Sequence, residues 1–148
     1  MKKILLPVDE QRLDPKVFEV ARDMALKFEA ELVILHVQPD FDLMATQYAP
    51  YLLESQTAMG LDNNLFQQAS DQIVSTISSQ FEEAGIFSVS THVIEGHPAG
   101  DIVDFAEKEG CDLIIMSTHG MGAVRRFLLG SVTNRVVHHA TVPVMIIR

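Results

Sequence analysis

The chain has 148 residues, of which 47% are hydrophobic, and its formal charge is −9. This length suits one domain, so we expect residues 1–148 to form a single domain. The acidic surplus argues against nucleic acid or an anionic membrane as a partner, because both require an excess of Lys and Arg. A small anionic ligand stays compatible, since it needs only a local positive site.

The lone cysteine, Cys111, excludes an intrachain disulfide and fits a reducing, cytoplasmic setting. We interpret it as a half-buried small residue, because no motif supplies the base that a nucleophilic thiol needs. The amino-terminal apolar run reaches Pro7 at once and is too short for a signal peptide. No apolar run approaches the roughly 18–20 residues of a membrane span.

The first third of the chain reads as strand, helix, strand. Lys3–Val8 is a short apolar run typical of a buried strand. Asp14 and Pro15 predict a helix start, with an N-cap followed by proline at the first helical position. Apolar residues follow at helical spacing: Val17, Ala21, Met24, Ala25 and Phe28. Glu31–Val37 predicts a second apolar strand.

The middle of the chain begins with Gln38–Asn64, which has no clean period and which we interpret as a long loop. A second helix is predicted by an apolar stripe and stops at Gly85. The stripe contains Phe66, Ala69, Ile73, Ile77 and Phe81. Apolar and polar residues then alternate over residues 87–93, which predicts a half-exposed strand near an edge of the sheet.

The last third repeats the helix–strand alternation twice. A third helix, with Ile102, Val103 and Ala106 inward, ends at Gly110. Asp112–Ser117 predicts a strand that is apolar on both faces. A fourth helix is marked by Val132, Val136 and Val137. The apolar run Val142–Arg148 predicts a fifth strand.

This alternation favours an α/β fold with a single open parallel five-stranded sheet and helices on both faces. In such sheets a ligand binds beyond the carboxyl ends of the strands, where the strand order reverses. Three predicted strand ends carry candidate residues: Val8-Asp9, His36-Val37 and Met116–Gly120. They lie together if the first and fourth strands are neighbours at that reversal.

The sharpest feature follows the fourth strand, in the sequence STHGMGAVRRFLLGSVTNR from Ser117 to Arg135. Its glycines allow a ligand close to the backbone, and Gly130-Ser131 opens a helix whose N–H groups favour phosphate. Arg125 and Arg126 could neutralise further charge. The alternative interpretation is a structural connection in which Ser131 caps the helix and the arginines are solvated.

The remaining polar candidates favour structural roles. Asp9 suits a ribose acceptor or a turn residue better than a general base. His36 and His119 suit hydrogen-bonded structural histidines better than catalytic or phosphate-binding groups. The consecutive His138 and His139 point to different sides of a helix, which disfavours a metal site because helical ligands prefer i, i+4 spacing.

The glycine-rich stretch resembles the signature of the universal stress protein family, G-x-x-G, nine residues, then G-[ST]. Gly120 is followed by nine residues and then Gly130-Ser131, while Ser117 stands in place of the first glycine. The runs ILLPVDE, LVILHV, EGHPAGDIVDFAEKEGCDLIIMSTHG and LLGSVTNRVVHHATVPVMIIR are similar to other parts of that family. The likeness spans nearly the whole chain except the predicted loop.

The resemblance implies a Rossmann-like, adenine-nucleotide α-hydrolase-like fold that binds ATP, with ADP or AMP as alternatives and Mg²⁺ held through the phosphates. Asp9 would meet the ribose hydroxyls, and Val37 would meet adenine through its backbone. The full set of implied nucleotide-binding residues is Pro7, Val8, Asp9, Val37, Met116, Ser117, His119, Gly120, Arg126, Gly130, Ser131 and Val132.

The resemblance further implies a homodimer that pairs through the last strand, Val142–Arg148; the alternative is a central strand buried within the monomer. A stress-response module of this kind would act on a protein partner that the sequence does not name. We expect slow hydrolysis at most, because no base or nucleophile for a γ-phosphate is evident. Two alternatives stay open: a nucleotide-free dimeric scaffold, and an adenylating or phosphate-transferring enzyme.

Overall fold

The computed structural model describes residues 1–9, 12–40, 63–118 and 130–148. Three of the candidate residues, His119, Gly120 and Arg126, lie outside the described residues. So does most of the segment Gln38–Asn64 for which the sequence predicts a loop. Within the described ranges, none of the helices is both long enough and apolar enough to span a bilayer.

Strands and helices alternate along the chain. The strands are β1 (Lys3–Pro7), β2 (Glu31–Pro39), β3 (Val89–Gly96), β4 (Leu113–Ser117) and β5 (Val144–Ile147). The helices are α1 (Pro15–Phe28), α2 (Asn63–Glu83), α3 (Pro98–Lys108) and α4 (Ser131–His139). The predicted elements are all present, with bounds that differ by one or two residues at most strand ends.

The five strands form one sheet in the order β3-β2-β1-β4-β5, and every neighbouring pair is parallel. The predicted fold class is therefore confirmed. The strand order reverses between β1 and β4, which are neighbours. β3 lies at one edge, as its alternating pattern predicts, and β5 lies at the other. The alternative of a central last strand is wrong.

Helices cover both faces of the sheet because its strands are apolar on both sides. On one face, α1 and α2 pack over side chains such as Ile4, Ile34 and Ile115. On the other, α3 and α4 pack over Leu5 and Ile114, among others. Consecutive residues along one strand, such as Ile4 and Leu5, thus pack into the cores on opposite faces of the sheet. Both cores continue to the carboxyl ends of the central strands.

The start of α1 follows the predicted capping pattern. The Asp14 carboxylate accepts a hydrogen bond from the backbone N–H of Lys16 at 2.8 Å, and Pro15 stands in the first turn. At the start of α3 the Asp101 carboxylate accepts from the backbone N–H of His97 at 2.7 Å. Each side chain satisfies one N–H group near a helix start that has no acceptor within the helix.

Three helices end in the same backbone turn, in which an N–H donates to a carbonyl five residues earlier. The bonds run from Ala30 to Ala25, from Ile86 to Phe81 and from Cys111 to Ala106. The residues at the turn have positive φ: Glu29 at 51°, Gly85 at 89° and Gly110 at 66°. Gly85 and Gly110 were predicted as stops, whereas Glu29 adopts this conformation without the freedom of glycine.

Some of the predicted apolar stripes are rotated in the structure. In α2 the buried residues are Ser70, Val74, Ile77 and Phe81, while Ala69 is exposed. Phe87 is 85% exposed because it precedes β3 and does not join its face. Phe28 and Val137, at the ends of their stripes, are exposed as well. Ser70 is buried where the sequence predicted Ala69, and its hydroxyl has a hydrogen-bond partner that is described below.

Candidate functional site

The candidate site lies at the carboxyl ends of the three central strands. β1 registers with β2 over five residue pairs, up to Pro7↔Leu35, but with β4 over only Ile4↔Leu113 and Leu5↔Ile114. The described pairing of β1 with β4 therefore stops before the strand ends. The strand order reverses here, which is the usual place for a ligand in an open parallel sheet. We call the space beyond the ends of β1 and β4 the crevice.

The candidate strand residues come together at this end. Extending the two registers places Asp9 level with Val37, and Pro7 level with Met116. Asp9 lies in a bend just after β1 and is partly exposed. The side chains of Val37 and Met116 are buried in the core formed with α3 and α4. The apolar side chains thus support the crevice while backbone groups and Asp9 border it.

Val8 is held at the crevice through its backbone. Its N–H donates to the carbonyl of Leu35 at 2.8 Å, which extends the β1–β2 ladder by one bond. Its carbonyl accepts from Nδ1 of His36, also at 2.8 Å. A carbonyl can only accept, so Nδ1 carries the proton. His36 is 8% exposed and is hydrogen-bonded, as the sequence predicted.

The amino terminus of α4 stands at the same end of the sheet. Gly130 is the N-cap residue. The first intrahelical hydrogen bond runs from the N–H of Asn134 to the carbonyl of Gly130, at 2.9 Å. The N–H groups of residues 131–133 precede that bond and have no acceptor within the helix. Ser131 is exposed, and Val132 is partly buried. The arrangement favours an anion through N–H groups and the helix dipole.

A hydrogen bond joins this helix start to the end of β4. The hydroxyl of Thr133, which is only 1% exposed, donates to the carbonyl of Ser117 at 3.2 Å. The N–H of Thr118 donates to the carbonyl of Ile147 at 3.0 Å, so the chain just after β4 stays aligned with β5. The two ends of the glycine-rich stretch are thereby brought together beside Met116.

Sequence reasoning missed two buried polar contacts near the site. One is the Thr133–Ser117 bond just described. The other joins Ser70 of α2, whose hydroxyl donates to Oε1 of Gln38 at 2.9 Å, to the end of β2. The available signal was a hydroxyl residue on an otherwise apolar helical stripe, at positions 70 and 133. Such a residue needs a partner when it is buried.

Among the described residues, the titratable groups with a shifted pKa lie at the opposite end of the sheet. Burial raises the pKa of Cys111 to about 11, from 9.0. Hydrogen bonds from the backbone N–H groups of Lys2 and Lys3 lower the pKa of Asp112, whose Oδ2 accepts them at 2.7 and 2.9 Å. Among the residues that the structure describes, no three His, Cys, Asp or Glu side chains gather as metal ligands.

Comparison with known proteins gives a consistent set of relatives. A model of the universal stress protein family matches residues 1–148. Universal stress protein MJ0531 of Methanocaldococcus jannaschii is 31% identical over 148 residues, covering 99% of this chain and 82% of that protein. The solved structure of MJ0577, from the same organism, is 30% identical with a TM-score of 0.68, covering 99% and 94%.

A structure of the universal stress protein from Archaeoglobus fulgidus in complex with dAMP is also similar, with a TM-score of 0.71. It is 19% identical, and the match covers 100% of this chain and 98% of that one. The likeness shows that the two chains share a Rossmann-like architecture.

Proposed function

Since the chain belongs to the universal stress protein family, we propose that it binds an adenine nucleotide and acts as a regulatory module of the stress response. Residues 1–148 would form one domain that works in the cytoplasm and acts through a protein partner. The A. fulgidus protein holds dAMP on the same fold, which is compatible with this proposal.

The observation that carries the proposal is the meeting of the α4 amino terminus with the carboxyl ends of β1, β2 and β4. Phosphate groups would bind at the N–H groups of Gly130, Ser131 and Val132, where the helix dipole favours negative charge. The bond between Thr133 and Ser117 supports this role, because it holds the helix start beside the strand ends. His119, Gly120 and Arg126 would complete the phosphate side.

The sugar and base would occupy the crevice between β1 and β4. Asp9 would accept hydrogen bonds from the ribose hydroxyls, and Pro7 and Val8 would form the floor. Met116 and Ser117 would lie along the ribose. Adenine would reach the backbone of Val37 at the end of β2. These positions are level with one another in the strand registers, which supports a single extended ligand.

ATP is the proposed nucleotide, with ADP and AMP as the competing forms. Any Mg²⁺ would be held through the phosphates and not by a protein cluster. The candidate side chains position the nucleotide, and none of those described is placed as a base for a water molecule at a γ-phosphate. We therefore expect slow hydrolysis at most. Turnover in the ordinary enzymatic range of about 1–10³ s⁻¹ would contradict this view.

We also propose a homodimer through the last strand. β5 is an edge strand, its residues Val144–Ile147 are apolar, and all are only partly buried. An exposed apolar edge invites pairing with another strand, and a second copy offers the same edge across a two-fold axis. Sedimentation of the purified protein should give the mass of two chains, and the mass of one chain would contradict the dimer.

The nucleotide is tested by denaturing the purified protein, identifying what it releases by mass spectrometry, and titrating the stripped protein with ATP. Gly130→Glu places a carboxylate at the α4 amino terminus and should weaken binding at least tenfold through charge repulsion. The matched control is Gly100→Glu, which adds the same charge in α3 where a Cβ meets nothing within 4 Å.

Two results would contradict the proposal. Equal weakening by both variants would show a general charge effect and no phosphate site at α4. A wild-type protein that carries no nucleotide and ignores added ATP would favour the nucleotide-free scaffold, with Ser117 in place of the signature glycine as the first suspect.

A further inference from the structure

The end of β2 offers backbone groups on the side where β1 has left the sheet. In a strand, the N–H and C=O of alternate residues face the same neighbouring strand. The carbonyl of Leu35 faces β1, since it accepts from Val8. The N–H and C=O of Val37, two residues later, therefore face the continuation of β1, which is the crevice.

A continued ladder would use these groups. The N–H of Val37 would donate to the carbonyl of Val8, the next acceptor along β1. The described backbone contacts of Val8 include its bond to Leu35 but no bond from Val37. The carbonyl of Val8 instead accepts from Nδ1 of His36 at 2.8 Å. In the structure the Val8 carbonyl therefore bonds to the imidazole and not to the Val37 amide.

We propose that His36 is a positioning residue for the nucleotide base: by donating to the Val8 carbonyl, it leaves the peptide groups of Val37 to read the edge of adenine. The inference rests on the proposed nucleotide site and deepens it, because it assigns the base specificity to a side chain that does not touch the ligand. His36 acts only through Val8 and Val37.

The Val37 peptide is also held from its other side. β2 and β3 stay in register beyond this residue, at Val37↔Ile94 and Gln38↔Glu95. The Ser70 hydroxyl fixes the side chain of Gln38. The end of β2 therefore keeps its extended backbone without a partner strand in the crevice. A binding group that is already rigid loses less conformational freedom when the ligand arrives.

The chemistry of this edge selects adenine. A peptide offers one donor and one acceptor, and adenine presents the complementary pair, the N1 acceptor and the N6 donor. Hypoxanthine and guanine present N1–H and O6, so that donor would face donor and acceptor would face acceptor. Mismatched polar groups in a desolvated site are costly. The site should therefore prefer ATP to inosine triphosphate (ITP) by roughly tenfold or more.

The first test needs no variant and no nucleotide. Amide hydrogen exchange, measured residue by residue by NMR, should show the Val37 amide exchanging at least tenfold faster than the Leu35 amide, which lies inside the β1–β2 ladder. ¹⁵N spectra of the imidazole should show Nδ1 of His36 protonated. A Val37 amide as protected as that of Leu35 would overturn the inference.

The second test compares ATP and ITP affinities in three variants. His36→Leu removes the donor, frees the Val8 carbonyl to take the Val37 amide, and should lower the ATP:ITP affinity ratio to near one. His36→Asn offers an amide N–H at the position of Nδ1 and should keep most of the ratio. Ile77→Val is the matched control, because it opens a small cavity in the core on the same face of the sheet and leaves the hydrogen bonds at the end of β2 in place.

The outcomes separate this inference from the proposed function. If His36→Leu weakens ATP and ITP equally, or if Ile77→Val also lowers the ratio, His36 has only a structural role and the inference is wrong. If the wild type binds ATP and ITP equally, the inference fails while the nucleotide site stands. If the wild type binds neither, the proposed function fails. Should His36→Leu not fold, His36→Asn and the Val37 exchange rate decide.

Discussion

Replacing Thr133 by valine tests the joint between the helix start and the end of β4. The side chain is 1% exposed, and its hydroxyl donates to the carbonyl of Ser117 at 3.2 Å. Valine keeps the volume but loses the donor. A buried neutral hydrogen bond contributes about 1 kcal/mol, which for a chain of this size lowers Tm by about 3 °C. ATP affinity should fall by roughly three- to tenfold, because the α4 amino terminus is no longer aligned with the strand ends.

The matched control is Thr133→Ser, which keeps the hydroxyl and removes a methyl group. Loss of one buried methyl group costs about 1 kcal/mol, so both variants should lose similar stability. Thermal unfolding measures that loss, and calorimetric titration with ATP measures affinity. Only the valine variant should bind ATP more weakly. Equal affinities for the two variants, at equal loss of Tm, would refute the reasoning that this bond orients the phosphate-binding end of α4.

Three further predictions concern groups away from the site. Since burial raises the pKa of Cys111 to about 11 from 9.0, its alkylation by iodoacetamide at pH 8 should be at least roughly 100-fold slower in the native protein than in the denatured one; similar rates would contradict a buried thiol. Because the folded pKa of Asp112 is lowered from 3.8, the carboxylate stabilises the fold above that pH and loses this contribution as pH falls through its lower folded pKa. Asp112→Asn should therefore flatten the fall in Tm below about pH 4, and an unchanged acid limb would count against it. A Cβ at Gly96 would overlap the Asp101 carboxylate, which accepts a hydrogen bond from the backbone N–H of His97 at the start of α3. Gly96→Ala should therefore lower the free energy of unfolding by about 1 kcal/mol. Gly100→Ala lies in open space within α3 and should raise it by about 0.5–1 kcal/mol.

Much of the fold could be predicted because local signals and burial agree. Asp14-Pro15 starts α1 as expected, and Gly85 and Gly110 end their helices with positive φ. Apolar runs without alternation mark the central strands, since both of their faces are covered. The alternating run at residues 87–93 indicated a strand with one face partly open to solvent, as at the edge of a sheet. The sequence predicted only part of the strand order, the edge position of β3, because a periodic pattern does not show which strands are neighbours.

The sequence could predict that the described candidate residues lie at one end of the sheet, but not which contacts they make. Glycines and a helix start pointed to Gly130, and strand ends pointed to Asp9 and Val37. The bonds of His36 to Val8 and of Thr133 to Ser117 join residues that are 28 and 16 positions apart. A single sequence carries no distance information at that range. What it shows is only a polar residue within an apolar pattern, which requires some partner when buried.

The two ends of the sheet differ in how the chain turns. At the amino-terminal end each of the four described helices returns to a strand within a few residues, at positions 29–30, 84–88, 109–112 and 140–143. At the other end the connections range from residue 97 alone to residues 40–62. The connections at that end therefore differ widely in length, whereas the turns at the opposite end are all short. If the proposed nucleotide site is correct, insertions and deletions at that end would change the ligand contacts while leaving the sheet in place.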